Sequence, residues 1–167
     1  MIQIETLSDT NLPELRRISR EIWVSHYPQM ISMAQIEYML NLMYGEGVVE
    51  NEINNLGIFY DQIIKDSQMV GYLSYGHEVD NNIDCFKLHK CYLLTSLHGF
   101  GYGQMMLSHV LEKAKSMNFE SIILNVNKGN IKGIKSYTRF GFKIIRNEVK
   151  NIGNGFVMDD YIMGYQV

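Results

Sequence analysis

Between residues 58 and 93 the hydrophobic period of this chain changes from helical to extended, and that change limits the fold more than any other feature. Three runs, "IFYDQII", "MVGYLSYGHEV" and "IDCFKLHKCYLL", are separated by the turn-forming stretches "KDSQ" and "DNN". Short loops of such residues between apolar, β-branched and aromatic runs predict an antiparallel meander of three strands.

The segments on either side are of other kinds. "IQIETL" alternates as a half-buried strand does, and "SDTNLPEL" supplies an N-cap and an early Pro13, so a helix is expected from about Asn11 to Val24. Leu12, Leu15, Ile18 and Ile22, with Trp23, fall at helical spacing, and Ile36, Met39, Leu40 and Met43 repeat the pattern in a second helix. "GVVENEINNLG" reads as a third short helix closed by Gly57. After the meander come a helix from about Gly103 to Met117, the strand "SIILNV", and a helix from about Asn130 to Phe140 ended by Gly141. The closing segments "FKIIRNEVK" and "GFVMDDYIMGYQV" form a hairpin around "NIGNG". This order predicts an α/β chain with a mixed sheet and helices over its faces. No repeat, low-complexity tract or linker interrupts it, so residues 1–167 are expected to form a single domain.

Composition removes several classes of function. Net charge is −3 and the sequence pI near 5.9, so no broad basic field invites nucleic acid or anionic lipid. The N-terminus "MIQIETLSDT" has neither a basic leader nor a long apolar core, and no apolar run reaches membrane-spanning length. The two cysteines, Cys85 and Cys91, lie too far apart along one strand for a disulfide. A soluble cytoplasmic protein is expected.

The chemistry-bearing motif is "LHGFGYGQMML", with Gly99, Gly101 and Gly103 between a strand and a helix start. Free N–H groups and the helix dipole favour an anion there, and glycine lets the backbone come close to it, so a phosphate-bearing ligand fits. Tight turns and close packing use glycine equally well. The dinucleotide fingerprint fails at Gln104 and Met106, and no Lys-Ser or Lys-Thr pair follows to make a P-loop.

"HGFGYG" followed by "QMMLSHVLEKAKSMNF", and then "ILNVNKGNIKGIKSYTRFGF" with Asn130, Tyr137, Gly141 and Phe142, resembles the GNAT superfamily of acyl-CoA N-acyltransferases. The likeness is close from about Asp84 to the C-terminus, and the earlier element order agrees. It implies a GNAT fold: a central mixed sheet of about seven strands, splayed between strands four and five and flanked by helices. It implies an acetyl-CoA-dependent N-acetyltransferase, with no metal.

By the same resemblance, the backbone of Cys91, Tyr92 and Leu93 would pair with the pantetheine arm, and the Leu93 N–H would polarise the thioester oxygen. His98, Gly99, Phe100, Gly101, Tyr102, Gly103 and Gln104 would hold the pyrophosphate. His98 stands where the family has Gln or Arg, so it would either donate one hydrogen bond to phosphate or cap the loop. Asn130 would contact the coenzyme arm, a position that a plain helix N-cap explains as well. Tyr137, about two helical turns on, would sit beside the sulfur and protonate the departing thiolate.

Many relatives carry a glutamate base where this chain has Asn125, and an amide is no base at neutral pH. A water chain, Glu78, His89, Asp159 or Asp160 stay as candidates. The aromatic "IWVSHYPQ" segment, with Trp23, His26 and Tyr27, falls where the family builds its acceptor pocket and could face a cationic amine. "LNVNKGN", "MDDYIM" and the early "IWVSHYPQMISMAQIEYML" look like a microbial branch that includes polyamine and small-amine acetyltransferases. Asp159 and Asp160 could attract such a cation. Cys85, His89 and Cys91 share strand parity, but zinc sites gather ligands from tight turns and need a fourth partner, so core thiols are the plainer reading.

The expected reaction is transfer of an acetyl group from acetyl-CoA to a primary amine, a small amine or polyamine, by direct attack. Alternatives are a peptide or protein acceptor, and a non-catalytic acyl-CoA sensor. The apolar "YIMGYQV" permits a homodimer through the C-terminal strands.

Overall fold

A computed structural model describes every residue from Met1 to Val167. The strands are β1 (Ile2–Thr6), β2 (Phe59–Lys65), β3 (Gln68–Asp80), β4 (Ile83–Leu93), β5 (Ser121–Asn127), β6 (Lys143–Gly153) and β7 (Phe156–Gln166). The helices are α1 (Leu12–His26), α2 (Met33–Tyr44), α3 (Val48–Asn55), α4 (Tyr102–Ser116) and α5 (Ile131–Phe140). One seven-stranded sheet has the order β1-β2-β3-β4-β5-β7-β6. It is antiparallel except where β4 meets β5. That parallel ladder covers Phe86–Leu88 against Ile122–Leu124 and goes no further, so Lys90–Leu93 of β4 lie outside it.

The turn chemistry accounts for the hairpins. Asp66 and Ser67, then Asn81 and Asn82, then Asn154 and Gly155 all hold positive φ, the backbone that two-residue primed turns require. The first helix runs to His26, two residues past the expected Val24, and the glycine-loop helix starts at Tyr102.

Two compact units divide the chain: Met1–Gly76 with Lys90–Tyr102, and His77–His89 with Gly103–Val167. In the first, Leu15, Ile18, Ile22 and Trp23 of α1 and Ile36, Met39 and Leu40 of α2 are buried, as are Ile63, Tyr72 and Leu73 of the sheet. In the second, Met106, Leu107, Val110 and Ala114 of α4 are buried along with Phe86, Leu88, Ile122, Leu124 and Val126. No helix is long and apolar enough to cross a membrane.

Both units also bury charged side chains. In the first, Lys90 keeps only 5% of its surface, and its Nζ is 3.0 Å from Glu52 Oε2. The Tyr60 hydroxyl bonds to both, and the ammonium lies over the rings of Tyr60 (4.9 Å) and Tyr44 (5.4 Å). Burial pulls the Lys90 amine below its usual range, and Glu52 pushes it back up. In the second, Asp160 is 2% exposed, and its carboxyl rises from 3.8 to about 6. Desolvation is the main cause; Asn125 opposes it by hydrogen bonding, Glu148 and Asp159 add to it by repulsion, and Lys128 opposes it.

Glu52→Gln should therefore cost about 3 kcal/mol in urea unfolding, because it strands a buried ammonium. Glu52→Gln combined with Lys90→Met should recover most of that loss. Asp160 gives the opposite sign to an ordinary paired carboxylate. Over roughly pH 4 to 6 the folded chain holds a proton that the unfolded chain has released, so stability falls as pH rises through that window. Asp160→Asn should stabilise the protein by about 2 kcal/mol at pH 7, with the gain vanishing below about pH 4 in paired thermal melts.

Candidate functional site

In the first unit, the end of β4 is set by β3. Leu94 donates its N–H to Val70 O at 2.9 Å, and a Cβ on Gly71 would sit 2.5 Å from Tyr92 O, so only glycine lets the two strands approach. Leu93 is buried, and its carbonyl is 3.1 Å from His98 Nε2. A carbonyl can only accept, so Nε2 carries the proton, and the imidazole ties the loop back to the strand it left. Of the two roles open to His98, this is the loop cap.

Gly99 (φ 86°) and Gly101 (φ 83°) take left-handed backbone, and nothing in the chain lies within 4 Å of where a Cβ on either would be. Here glycine serves backbone conformation on an open surface, as a cradle for a ligand's phosphates would require. Phe100 is exposed, and its ring stacks near Tyr102 with centroids 6.2 Å apart.

The acceptor-side aromatics divide. Trp23 is 2% exposed and packs against Tyr27 (4.4 Å) and Tyr92 (5.8 Å), with the Tyr27 and Tyr92 hydroxyls 3.3 Å apart. Trp23 and Tyr27 are thus both buried, packed at the end of α1 against Tyr92 of β4. His26 is half-buried, edge-on to Tyr27 and 6.4 Å from the His98 ring.

The second unit holds the other landmarks. Gly103 has no positive φ; a Cβ there would lie 3.7 Å from Ser136 Oγ, so its surroundings, unlike its backbone, concern α5. Gln104 Nε2 donates to Ser136 O at 3.0 Å, which spends its side chain on joining α4 to α5. Asn130 caps α5 by accepting from Gly133 N at 3.0 Å. A Cβ on Gly133 would run into that side chain at 2.5 Å, a dependence the sequence did not announce.

Tyr137 is half-buried on α5, 5.9 Å from the buried Phe142 ring. Gly141 stops the helix at φ 123°, and a Cβ there would press on Tyr165 at 3.0 Å. The Gly-Phe pair thus turns the chain and supplies the ring against which Tyr137 rests.

Cys85 is a core thiol and Cys91 a half-buried one. Cys85 packs with Ile123 and Ile162 and donates to Glu78 O at 3.5 Å; desolvation pushes the Cys91 thiol up to about 12. A thiol held there is no nucleophile at neutral pH. No group of three or more His, Cys, Asp or Glu side chains gathers as metal ligands would.

On the strand face of the second unit, Asn125 Nδ2 donates to Glu148 Oε2 at 2.8 Å. Glu148 lies directly opposite Asp160 in the β6–β7 ladder. Neighbouring charges are committed: Arg146 to Asp80 (2.9 and 2.5 Å), Lys128 to Asp159 (2.6 Å), Lys87 loosely to Glu78 (4.0 Å). Sequence reasoning had Asp159 and Asp160 but missed Glu148, which only the strand register brings to Asn125.

Known proteins extend this picture. Residues 13–142 match the Acetyltransferase (GNAT) family. The chain is 27% identical over 165 residues to a spermidine N(1)-acetyltransferase of Thermoplasma acidophilum, covering 95% of this chain and 96% of that one. Among solved structures, the PaiA N-acetyltransferase of Thermoplasma acidophilum in complex with coenzyme A superposes with a TM-score of 0.83 at 23% identity, over 100% of this chain and 99% of that one. Naa50 of Arabidopsis thaliana, in complex with the bisubstrate analogue CoA-Ac-MVNAL, gives 0.70 at 19% identity, with 99% of each chain covered. With its glycine loop, capped α5 and parallel β4–β5 ladder matched along this length, the chain belongs to the GNAT family of acetyl-CoA-dependent acetyltransferases.

Proposed function

We propose that this enzyme transfers an acetyl group from acetyl-CoA to a primary amine of a small, polycationic acceptor such as a polyamine. The observation that carries the acceptor class is full-length similarity to a spermidine N(1)-acetyltransferase. The half-buried Glu148, with Asp160 directly across the ladder, puts negative charge on one strand face, and this supports it, since such charge attracts a polycation.

Acetyl-CoA supplies the activated acyl group. The N–H groups of Gly99 to Gln104 would hold its pyrophosphate, for which the open, left-handed glycines suit the loop, and His98 braces that loop from within. The backbone of Cys91, Tyr92 and Leu93 would pair with the pantetheine amides as an added strand does. Asn130, already the cap of α5, would direct its remaining polar edge to the coenzyme arm.

The acceptor's nitrogen attacks the thioester carbonyl, whose oxygen the Leu93 N–H stabilises as negative charge develops. Tyr137 gives its phenolic proton to the departing sulfur. A single domain working in the cytoplasm, with a small amine as partner and a second copy docked through the C-terminal strands, completes the reading. The exposed Ile144, Ile145, Val149 and Val157 on β6 and β7 support that last element.

The test is CoA release from acetyl-CoA with polyamines, aryl amines, amino acids and short peptides. Polyamine-dependent release is expected in the wild type. In Tyr137→Phe, kcat should fall about a hundredfold with acetyl-CoA affinity within twofold, as loss of a general acid predicts. Release with peptides alone would move the acceptor to a protein N-terminus or lysine, and tight acetyl-CoA binding with no turnover would make the chain a sensor.

A further inference from the structure

An amine attacks only after losing a proton, and the strand face of the second unit contains one carboxylate placed to take it. Asp80 is held by Arg146, Asp159 by Lys128 and Asp84 by His77 at 2.6 Å, while Glu78 has Lys87 at 4.0 Å. Glu148 differs from all of these. Its hydrogen-bond partner is the uncharged amide of Asn125, and it is half-buried, so one side of it stays open.

Apart from the Asn125 amide, the neighbours of Glu148 on this face are acceptors or an already paired Arg146. Asp160, directly across the ladder and buried, has an Oδ1 with no partner, and Asn125 Oδ1 is also buried without one. The Asn125 amide cannot be turned to mend this, because its oxygen would then face the Glu148 carboxylate. This part of the strand face therefore offers acceptors and negative charge with the nearby cations already paired. A protonated amine, with up to three N–H donors, is the chemistry that completes it.

We propose that Glu148 receives the acceptor's ammonium group and takes its proton, with Asn125 and Asp160 as positioning residues. The inference rests on the amine-acetylation reading above. In the step, an N–H bond of the ammonium breaks and its electron pair stays on nitrogen. The proton forms an O–H bond at Glu148 Oε1, the oxygen that Asn125 does not occupy, and later leaves to solvent. Charged groups facing Glu148 are Arg146 on its own strand and Asp160 on β7; Asp159, paired with Lys128, lies on the other face of β7.

The experiment compares pH profiles of kcat and kcat/KM for spermidine in wild type, Glu148→Gln, Glu148→Asp and Asn125→Ala, with acetyl-CoA affinity measured by calorimetry. Glu148→Gln should lose about a hundredfold in kcat at pH 7 with acetyl-CoA affinity within twofold. Its deficit should shrink as pH rises toward the amine's own ionisation, because less of the acceptor then needs a base. Glu148→Asp should recover part of the rate. Asn125→Ala should lose about tenfold with its pH profile displaced. Wild-type turnover with Glu148→Gln unimpaired, or with a deficit constant across pH, overturns Glu148 alone. A wild type that acetylates no amine overturns the amine reading and this inference with it.

Discussion

Three residue pairs, Phe86–Leu88 against Ile122–Leu124, constitute the only parallel pairing in the sheet, and the rest of the architecture follows from that ladder. Parallel strands need a long crossover. Here the crossover is the glycine loop followed by α4, so the loop that can cradle phosphate is also the segment that lets the sheet change direction. Because the ladder ends at Leu88, the end of β4 is governed by β3 instead, through Gly71 and the Leu94–Val70 bond. The backbone that the family resemblance assigns to pantetheine is thus positioned without β5.

Both units contain buried charge, with different consequences. Lys90 is paired, hydrogen-bonded and covered by aromatic rings, so its cost is offset locally and its removal is felt as instability. Asp160 has no such partner. Its carboxyl is pushed up by burial beside another carboxylate, an arrangement that costs stability at neutral pH and persists beside a half-open acidic face. Uncompensated burial of this kind is common where a ligand completes the hydrogen bonding.

Sequence position and chemical role separate at Asn125. Read along the chain, an amide in place of a glutamate looks like the loss of a base. In the fold, the same amide holds a glutamate from a strand 23 residues later. A carboxylate of β6 thus lies beside the position where the sequence shows only an amide. Trp23 is the converse case: its placement in "IWVSHYPQ" suggests an open aromatic face, yet the core claims it.

What the sequence alone determined was local. Turn residues at Asp66–Ser67, Asn81–Asn82 and Asn154–Gly155, the Asn130 cap, the Gly141 stop and the helical and extended periods are all decided within a few residues by backbone sterics and side-chain spacing. They were enough to give the element order and, with two spaced motifs, the family. Tertiary structure alone decided which side chains meet. The insertion of β7 between β5 and β6 and the meeting of Glu148, Asn125 and Asp160 depend on strand register, and the joining of Lys90 to Glu52 across 38 residues depends on how α3 packs on the sheet. Register is fixed by burial of whole strand faces, to which any one polar residue contributes little, so its position in the chain does not reveal its partner.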